Sequence, residues 1–256
     1  MSITETVDRL DVHVYPNRAA MGAAAAQDVA AEMRARLADQ ASVRAIFASA
    51  PSQNELLAGL AAAEGIDWSR VHAFHMDEYL GLPPGSPASF GAYLREHLFD
   101  MVRPGEVHLL DGSASPQAEC RRYAALLAAA PIDVVCLGIG ENGHLAFNDP
   151  PLARFDDPEL VREVEIATDS RQQQVHDGTF PSLDEVPRRA ITLTIPALVS
   201  AACMFCVVPG RLKRAAVRRT LRGPITPECP ASILRRHQHA RLYLDADAYP
   251  APESAA

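Results

Sequence analysis

Nine short runs of Val, Ile, Leu, Phe and their apolar neighbours punctuate the chain: "DVHVYP", "VRAIFAS", "VHAFHM", "EVHLL", "IDVVCLG", "VREVEIAT", "AITLTI", "CMFCVVP" and "ARLYLD". Each is short, rich in β-branched or aromatic residues and bounded by polar or breaking positions, which predicts strands. Between several of them lie Ala-rich stretches whose apolar positions return at helical spacing. These predict helices over residues 17–40, 53–64, 89–98, 116–129, 212–221 and 231–237. Ser115 followed by Pro116 offers a capping hydroxyl and then a ring that suits the first helical position.

Strands that are apolar nearly throughout are covered on both faces. Their alternation with helices therefore predicts an α/β fold: a single doubly wound, mostly parallel, Rossmann-like sheet with helices on both sides. No repeat, low-complexity tract or linker divides the sequence, so one domain over residues 1–256 is expected. Residues 169–188, "DSRQQQVHDGTFPSLDEVPR", are polar and carry Gly and Pro, the composition of a lid. The final "YPAPESAA" reads as a frayed tail.

Composition narrows the function. A hydrophobic fraction of 48% in 256 residues fills a substantial core, and a net charge of -8, from 32 acidic against 24 basic residues, disfavours nucleic acid and anionic membrane as partners. Small molecules or proteins fit better. The N-terminal stretch lacks a basic region followed by an apolar one, and the longest apolar run, Ala197 to Pro209, falls short of the about 20 residues that cross a bilayer. A cytoplasmic location is expected. The five cysteines follow no framework spacing and read as reduced core thiols. Cys203 and Cys206 form a CxxC, but on a strand positions three apart face opposite ways and cannot share a metal.

In an open parallel sheet, ligands bind beyond the carboxyl ends of the strands. Asp77 and Glu78 close "VHAFHM" at such an end. Either at least one carboxylate faces a substrate crevice, or both cap the loop that follows; position alone leaves both open. After "IDVVCL" comes "GIGENGHLAFNDP", residues 138–150, which contains a literal GxGxxG. A dinucleotide site would need a long helix after the third glycine, and Asn148, Asp149, Pro150 and Pro151 stop one. The glycines instead let the backbone turn tightly beside a ligand. The loop carries His144, flanked by Glu141, Asn142 and Asp149, an arrangement suited to acid/base chemistry.

Among 24 basic residues only Lys213 is a lysine. It lies just after a strand end at the start of a helix, where an ammonium can meet a phosphate or carboxylate. The alternative is a solvated lysine in a basic helix with Arg211, Arg214, Arg218 and Arg222, a face that also offers a subunit contact. Ser49 and Ser52, in "FASAPSQNELL", put hydroxyls beside a helix start and make an anion cradle, though not a P-loop. A metal site gathering His72, His75, Asp77 and His144 is disfavoured, because His72 and His75 point to opposite faces of one strand.

Taken together, "HMDEYLGLP" and "GIGENGHLAFNDP" resemble the glucosamine-6-phosphate deaminase family, whose stretches read close to NMDEYVGLP and GxGxDGHxAFNEP. The related 6-phosphogluconolactonases tend to carry SDER and TASLFP at these places. The resemblance spans nearly the whole chain. It implies conversion of an amino-sugar phosphate to fructose 6-phosphate and ammonia, with no metal or organic cofactor and with a small sugar phosphate as the partner. It gives Asp77 the role of the base that moves a proton between C2 and C1, and His144 that of opening the ring. Asn142 and Asp149 take the supporting positions, and Arg171 and Lys213 the phosphate.

Three departures stand out. Asn142 and Asp149 replace the usual aspartate and glutamate, the glycine-rich phosphate loop is here "SAPSQ", and the segment after Pro150 lacks the pattern that binds an activating sugar phosphate in allosteric relatives. No such activation is expected. A sugar-phosphate isomerase or 6-phosphogluconolactonase-type hydrolase, and a non-catalytic sugar-phosphate sensor, are the competing readings. A homo-oligomer is left open.

Overall fold

The computed structural model describes residues 3–250. Its first half runs β1 (Ile3–Val7), β2 (Leu10–Tyr15), α1 (Arg18–Asp39), β3 (Val43–Phe47), α2 (Asn54–Ala61), β4 (Val71–His75), β5 (Asp77–Tyr79), α3 (Phe90–Leu94), α4 (Asp100–Val102), β6 (Glu106–His108) and α5 (Pro116–Ala128). The second half continues with β7 (Val134–Leu137), β8 (Val161–Glu165), α6 (Thr168–His176), β9 (Arg189–Leu193), α7 (Ile195–Val199), β10 (Cys203–Val208), α8 (Arg214–Arg222) and β11 (Ala240–Asp245).

The main sheet has the order β1-β2-β11-β10-β7-β3-β4-β6. Every pairing in it is parallel except the β1–β2 hairpin at one edge. Successive residues of its central strands feed opposite layers, as the period of a strand demands. Ile46 joins a core layer with Tyr123, Leu127, Val217 and Leu221, while Ala45 and Phe47 join the other with Met21, Val29, Met33 and Leu57. Helices therefore cover both faces, the doubly wound arrangement expected. α1 begins where the Asn17 side chain accepts a hydrogen bond from the Ala20 amide.

The sheet is not single. β5, β9 and β8 form a separate three-stranded antiparallel sheet. The pattern of "VREVEIAT" and "AITLTI" predicts members of the parallel sheet, but β8 is only half buried, and Glu163 on it meets Arg189 on β9 at 2.6 Å. A strand with one wet, charged face fits a small antiparallel sheet better than a parallel core. β1 and β5 leave no strand signal in the sequence, because β1 is mostly exposed and β5 spans three residues.

Helix boundaries shift in places. The helix expected over 89–98 is α3 followed by a π-helical turn at Arg95–Phe99, and that over 231–237 is a 3-10 helix at Pro230–Arg236. Pro116 does open α5, but the Ser115 side chain makes no capping bond. The segment 169–188 is more ordered than its composition suggests, holding most of α6 and a 3-10 turn at Leu183–Glu185. Of the tail, Tyr249 donates its hydroxyl to Glu5 at 3.2 Å and Pro250 is buried, so these two are held; the remainder lies outside the described residues. Among the described residues no helix is long and apolar enough to cross a membrane.

Candidate active site

A crevice opens beyond the carboxyl ends of the central strands. Its walls include Ser49, Ser52 and Gln53 after β3, Asp77 after β4, Gly138, Gly140 and His144 after β7, Gln173 and Gln174 of α6, and Lys213 after β10. The fold thus brings together Asp77, His144, Lys213, Ser49 and Ser52. It keeps Asn142 and Asp149 behind His144, and it leaves the Arg171 guanidinium elsewhere, donating to the carbonyls of Leu183 and Val186.

The two adjacent acids part company because successive strand residues face opposite ways. Glu78 turns inward, where its oxygens accept from the amides of Tyr79, Phe90 and Gly91 at 2.9, 3.1 and 2.9 Å, closing off the start of α3. Burial lifts its pKa to about 7 in spite of these three donors. Asp77 faces the crevice, and its side chain has no hydrogen-bond partner among the described residues. Burial, and then the charge of Glu78, push Asp77 up to about 8. So one acid is a helix cap and the other a partly dried carboxyl exposed to whatever enters.

His144 is held from behind. Its Nδ1 lies 2.8 Å from Asn142 Oδ1, 2.7 Å from Ser170 Oγ and 3.3 Å from Asp149 Oδ1. Asp149 in turn accepts from Asn142 Nδ2 and the Ala167 amide, both at 2.9 Å, and from the Ser170 hydroxyl. Burial alone would raise its pKa, but the bonds from His144, Ser170 and Asn142 win and hold it well below the usual carboxylate range. Asp149 is therefore a fixed negative charge that orients the imidazole.

Two glycines make this loop possible. A Cβ on Gly140 would lie 2.1 to 2.3 Å from atoms of the His144 ring, so the ring packs directly on bare backbone. Gly143 adopts φ +91°, a left-handed conformation that a side chain would strain.

Lys213 ends a 3-10 turn at Arg211–Lys213 and is buried, facing Asp177 and Glu141. Burial lowers its pKa, with those two carboxylates partly restoring it. A buried ammonium of this kind favours an incoming anion. Nearby, Gln53 donates to Val207 O and Ser52 Oγ at 3.1 Å, while its Oε1 is a buried acceptor with no partner among the described residues.

Ser170, Gln173 and Gln174 were not anticipated. Gln173 Oε1 accepts from the Glu141 amide at 2.9 Å, tying α6 to the histidine loop. Their signal was present: α6 has no apolar stripe, and its buried positions, Ser170, Arg171, Gln173 and Gln174, are all polar. A helix that buries a polar face is facing a polar site.

The disfavoured metal grouping does not form. His75 is fully buried and accepts the Leu110 amide at 2.7 Å, and His72 lies near the other end of β4 beside Glu106. The cysteines are free; Cys203 contacts Glu32 and Arg36 on one face of β10, and Cys206 is in the opposite core layer.

The sequence profile described as glucosamine-6-phosphate isomerases/6-phosphogluconolactonase matches residues 16–244. The chain belongs to this family. Among its members, glucosamine-6-phosphate deaminase 1 of Giardia intestinalis is 37% identical over 75% of the chain and 72% of the relative. The glucosamine-6-phosphate deaminase of Lactobacillus delbrueckii subsp. bulgaricus is 33% identical over 84% and 89%. A solved structure described as a monomeric glucosamine-6-phosphate deaminase superposes with a TM-score of 0.84 at 27% identity, covering 93% of this chain and 98% of that one. A 6-phosphogluconolactonase from Shewanella baltica shares the fold, with a TM-score of 0.75 at 19% identity.

Proposed function

We propose that this family member is an amino-sugar phosphate deaminase, converting glucosamine 6-phosphate and water to fructose 6-phosphate and ammonia. The observation that carries the reading is the convergence of Asp77, His144 and Lys213 on one crevice. The deaminases that match at 33% identity or more support it.

In this reading the sugar enters with its phosphate toward Lys213, Ser49 and Ser52. Binding energy from that end positions the reacting carbons. Arg171 exchanges its two backbone carbonyls for the phosphate as residues 169–188 close. His144 carries a proton from the anomeric hydroxyl to the ring oxygen, opening the pyranose to the aldehyde. Asp77, as carboxylate, takes the C2 proton and returns it to C1. The resulting C2 imine adds water and releases ammonia, leaving the ketose. Asn142, Ser170 and Asp149 hold the imidazole in register for the first step and take no proton from the substrate.

A raised pKa suits this base. Its proton affinity approaches that needed to abstract a weakly acidic C–H, and the substrate's own ammonium draws it back toward the charged form on binding. The reading puts the protein in a reducing cytoplasm, in keeping with its free thiols.

The test is ammonia and ketose production from glucosamine, galactosamine and mannosamine 6-phosphates, with 6-phosphogluconolactone hydrolysis alongside. Turnover of an amino sugar is the expected result. Binding without turnover, or hydrolysis of the lactone alone, would overturn the reading.

A further inference from the structure

The edge of the main sheet holds a second cluster of chemically active side chains, outside both motifs. β4 and β6 pair in parallel with His72 opposite Glu106 and Phe74 opposite His108. Opposed residues, and residues two apart on a strand, leave the sheet on the same face, so His72, Glu106 and His108 converge there. Glu106 Oε2 lies 3.5 Å from His72 Nδ1 and 2.9 Å from His108 Nε2. One ligand atom from each residue falls within 4.8 Å of the other two.

We propose that His72, Glu106 and His108 bind a divalent transition-metal ion of the zinc class at the β4–β6 edge. Two imidazoles and a carboxylate are a preferred donor set for such ions. Metal–ligand bonds of about 2.0–2.2 Å at tetrahedral angles put neighbouring donors roughly 3.3 Å apart, close to the separations seen here. The side chains are 31%, 53% and 20% exposed, which leaves room for water in the remaining position. The cluster is also braced. The Phe74 ring packs 4.6 Å from that of His108, and the Tyr123 hydroxyl fixes the His108 carbonyl at 3.0 Å. Arg44, opposite His72 on β3, donates its guanidinium to the carbonyls of Leu126, Leu127 and Pro131 at the end of α5. None of the three residues lines the catalytic crevice. A bound ion would clamp the three-residue edge strand β6 to its neighbour, a structural role independent of the reaction.

The experiment uses untagged, chelator-stripped full-length chain, titrated with Zn²⁺ by calorimetry and with Co²⁺ by visible absorption. One equivalent should bind, Co²⁺ should show the intense bands of low coordination, and the thermal midpoint should rise with Zn²⁺. His72→Ala, His108→Ala and Glu106→Gln should each weaken binding at least about tenfold and lose the thermal shift, with circular dichroism confirming that they fold. Cys203→Ala and His176→Ala should bind as the parent does. Absence of saturable binding, or binding that persists in a His72→Ala/His108→Ala chain, would show that the cluster is only a surface ion pair and overturn the proposal.

Discussion

At the scale of single residues, the environment of Asp77 sets the pH behaviour. Its pKa of about 8 in the free protein means that the base is increasingly available as pH rises through that value. The ratio kcat/KM should therefore climb on the alkaline side of neutrality, and the corresponding limb of kcat should lie at lower pH, because the bound ammonium favours the carboxylate. Asp77→Asn should cost about 10²-fold or more in kcat with KM little changed; steady-state assays across pH 6–9 check both. Lys213→Met should instead act chiefly on KM, since a phosphate contact remote from the reacting carbons serves binding. Gly140→Ala tests positioning: its Cβ would displace the His144 ring, and a misplacement near 1 Å can cost about 10²-fold, so kcat should collapse in a chain that still folds.

At the scale of elements, α6 carries the distinctive load. It offers Ser170 to His144 and Asp149, Gln173 to the Glu141 amide, and Gln174 to the crevice. Ser170→Ala should remove one of the three groups beside His144 Nδ1 and lower kcat several-fold, while Ser170→Thr, which keeps the hydroxyl, should restore part of it. Such rescue distinguishes orientation from packing. This element also shows what the sequence conceals. The parallel strands and α1 were legible because burial on two faces and a regular helical period leave a local mark. α6 was not, because its buried side is polar and its short span is followed at once by Gly178 and Pro181, signals that imitate a loop. The same limit applies at Asp77 and Glu78: one local pattern served both a crevice wall and a helix cap, and only strand direction separated them. Arg171 was visible as a cation, but nothing in its neighbours revealed the carbonyls it engages.

At the scale of the whole molecule, the buried acids make stability and activity move in opposite directions. Asp77 and Glu78 have folded pKa values raised to about 8 and 7, so the native state holds protons that the unfolded chain has already released. Their contribution is complete near pH 4 and is lost as pH rises through 7 to 8. His75, held to about 3 by burial, works the other way, favouring the fold as pH rises toward 6.5, and Asp149 is lost as a stabiliser as pH falls below the ordinary carboxylate range. The urea midpoint should therefore be higher at pH 6.5 than at pH 8.5, and Asp77→Asn should narrow that gap while abolishing turnover. Equilibrium unfolding at the two pH values checks it. One joint in the architecture sharpens this picture. β4 ends at His75 and β5 begins at Asp77, so Met76 alone carries the chain from the large sheet to the small one. The acid is thus the first residue of a second framework, and its aim is set by how two separately hydrogen-bonded units meet. Lengthening that junction by a single glycine should leave both units paired yet displace the carboxyl from the crevice, so such an insertion is expected to abolish turnover in a chain that still folds.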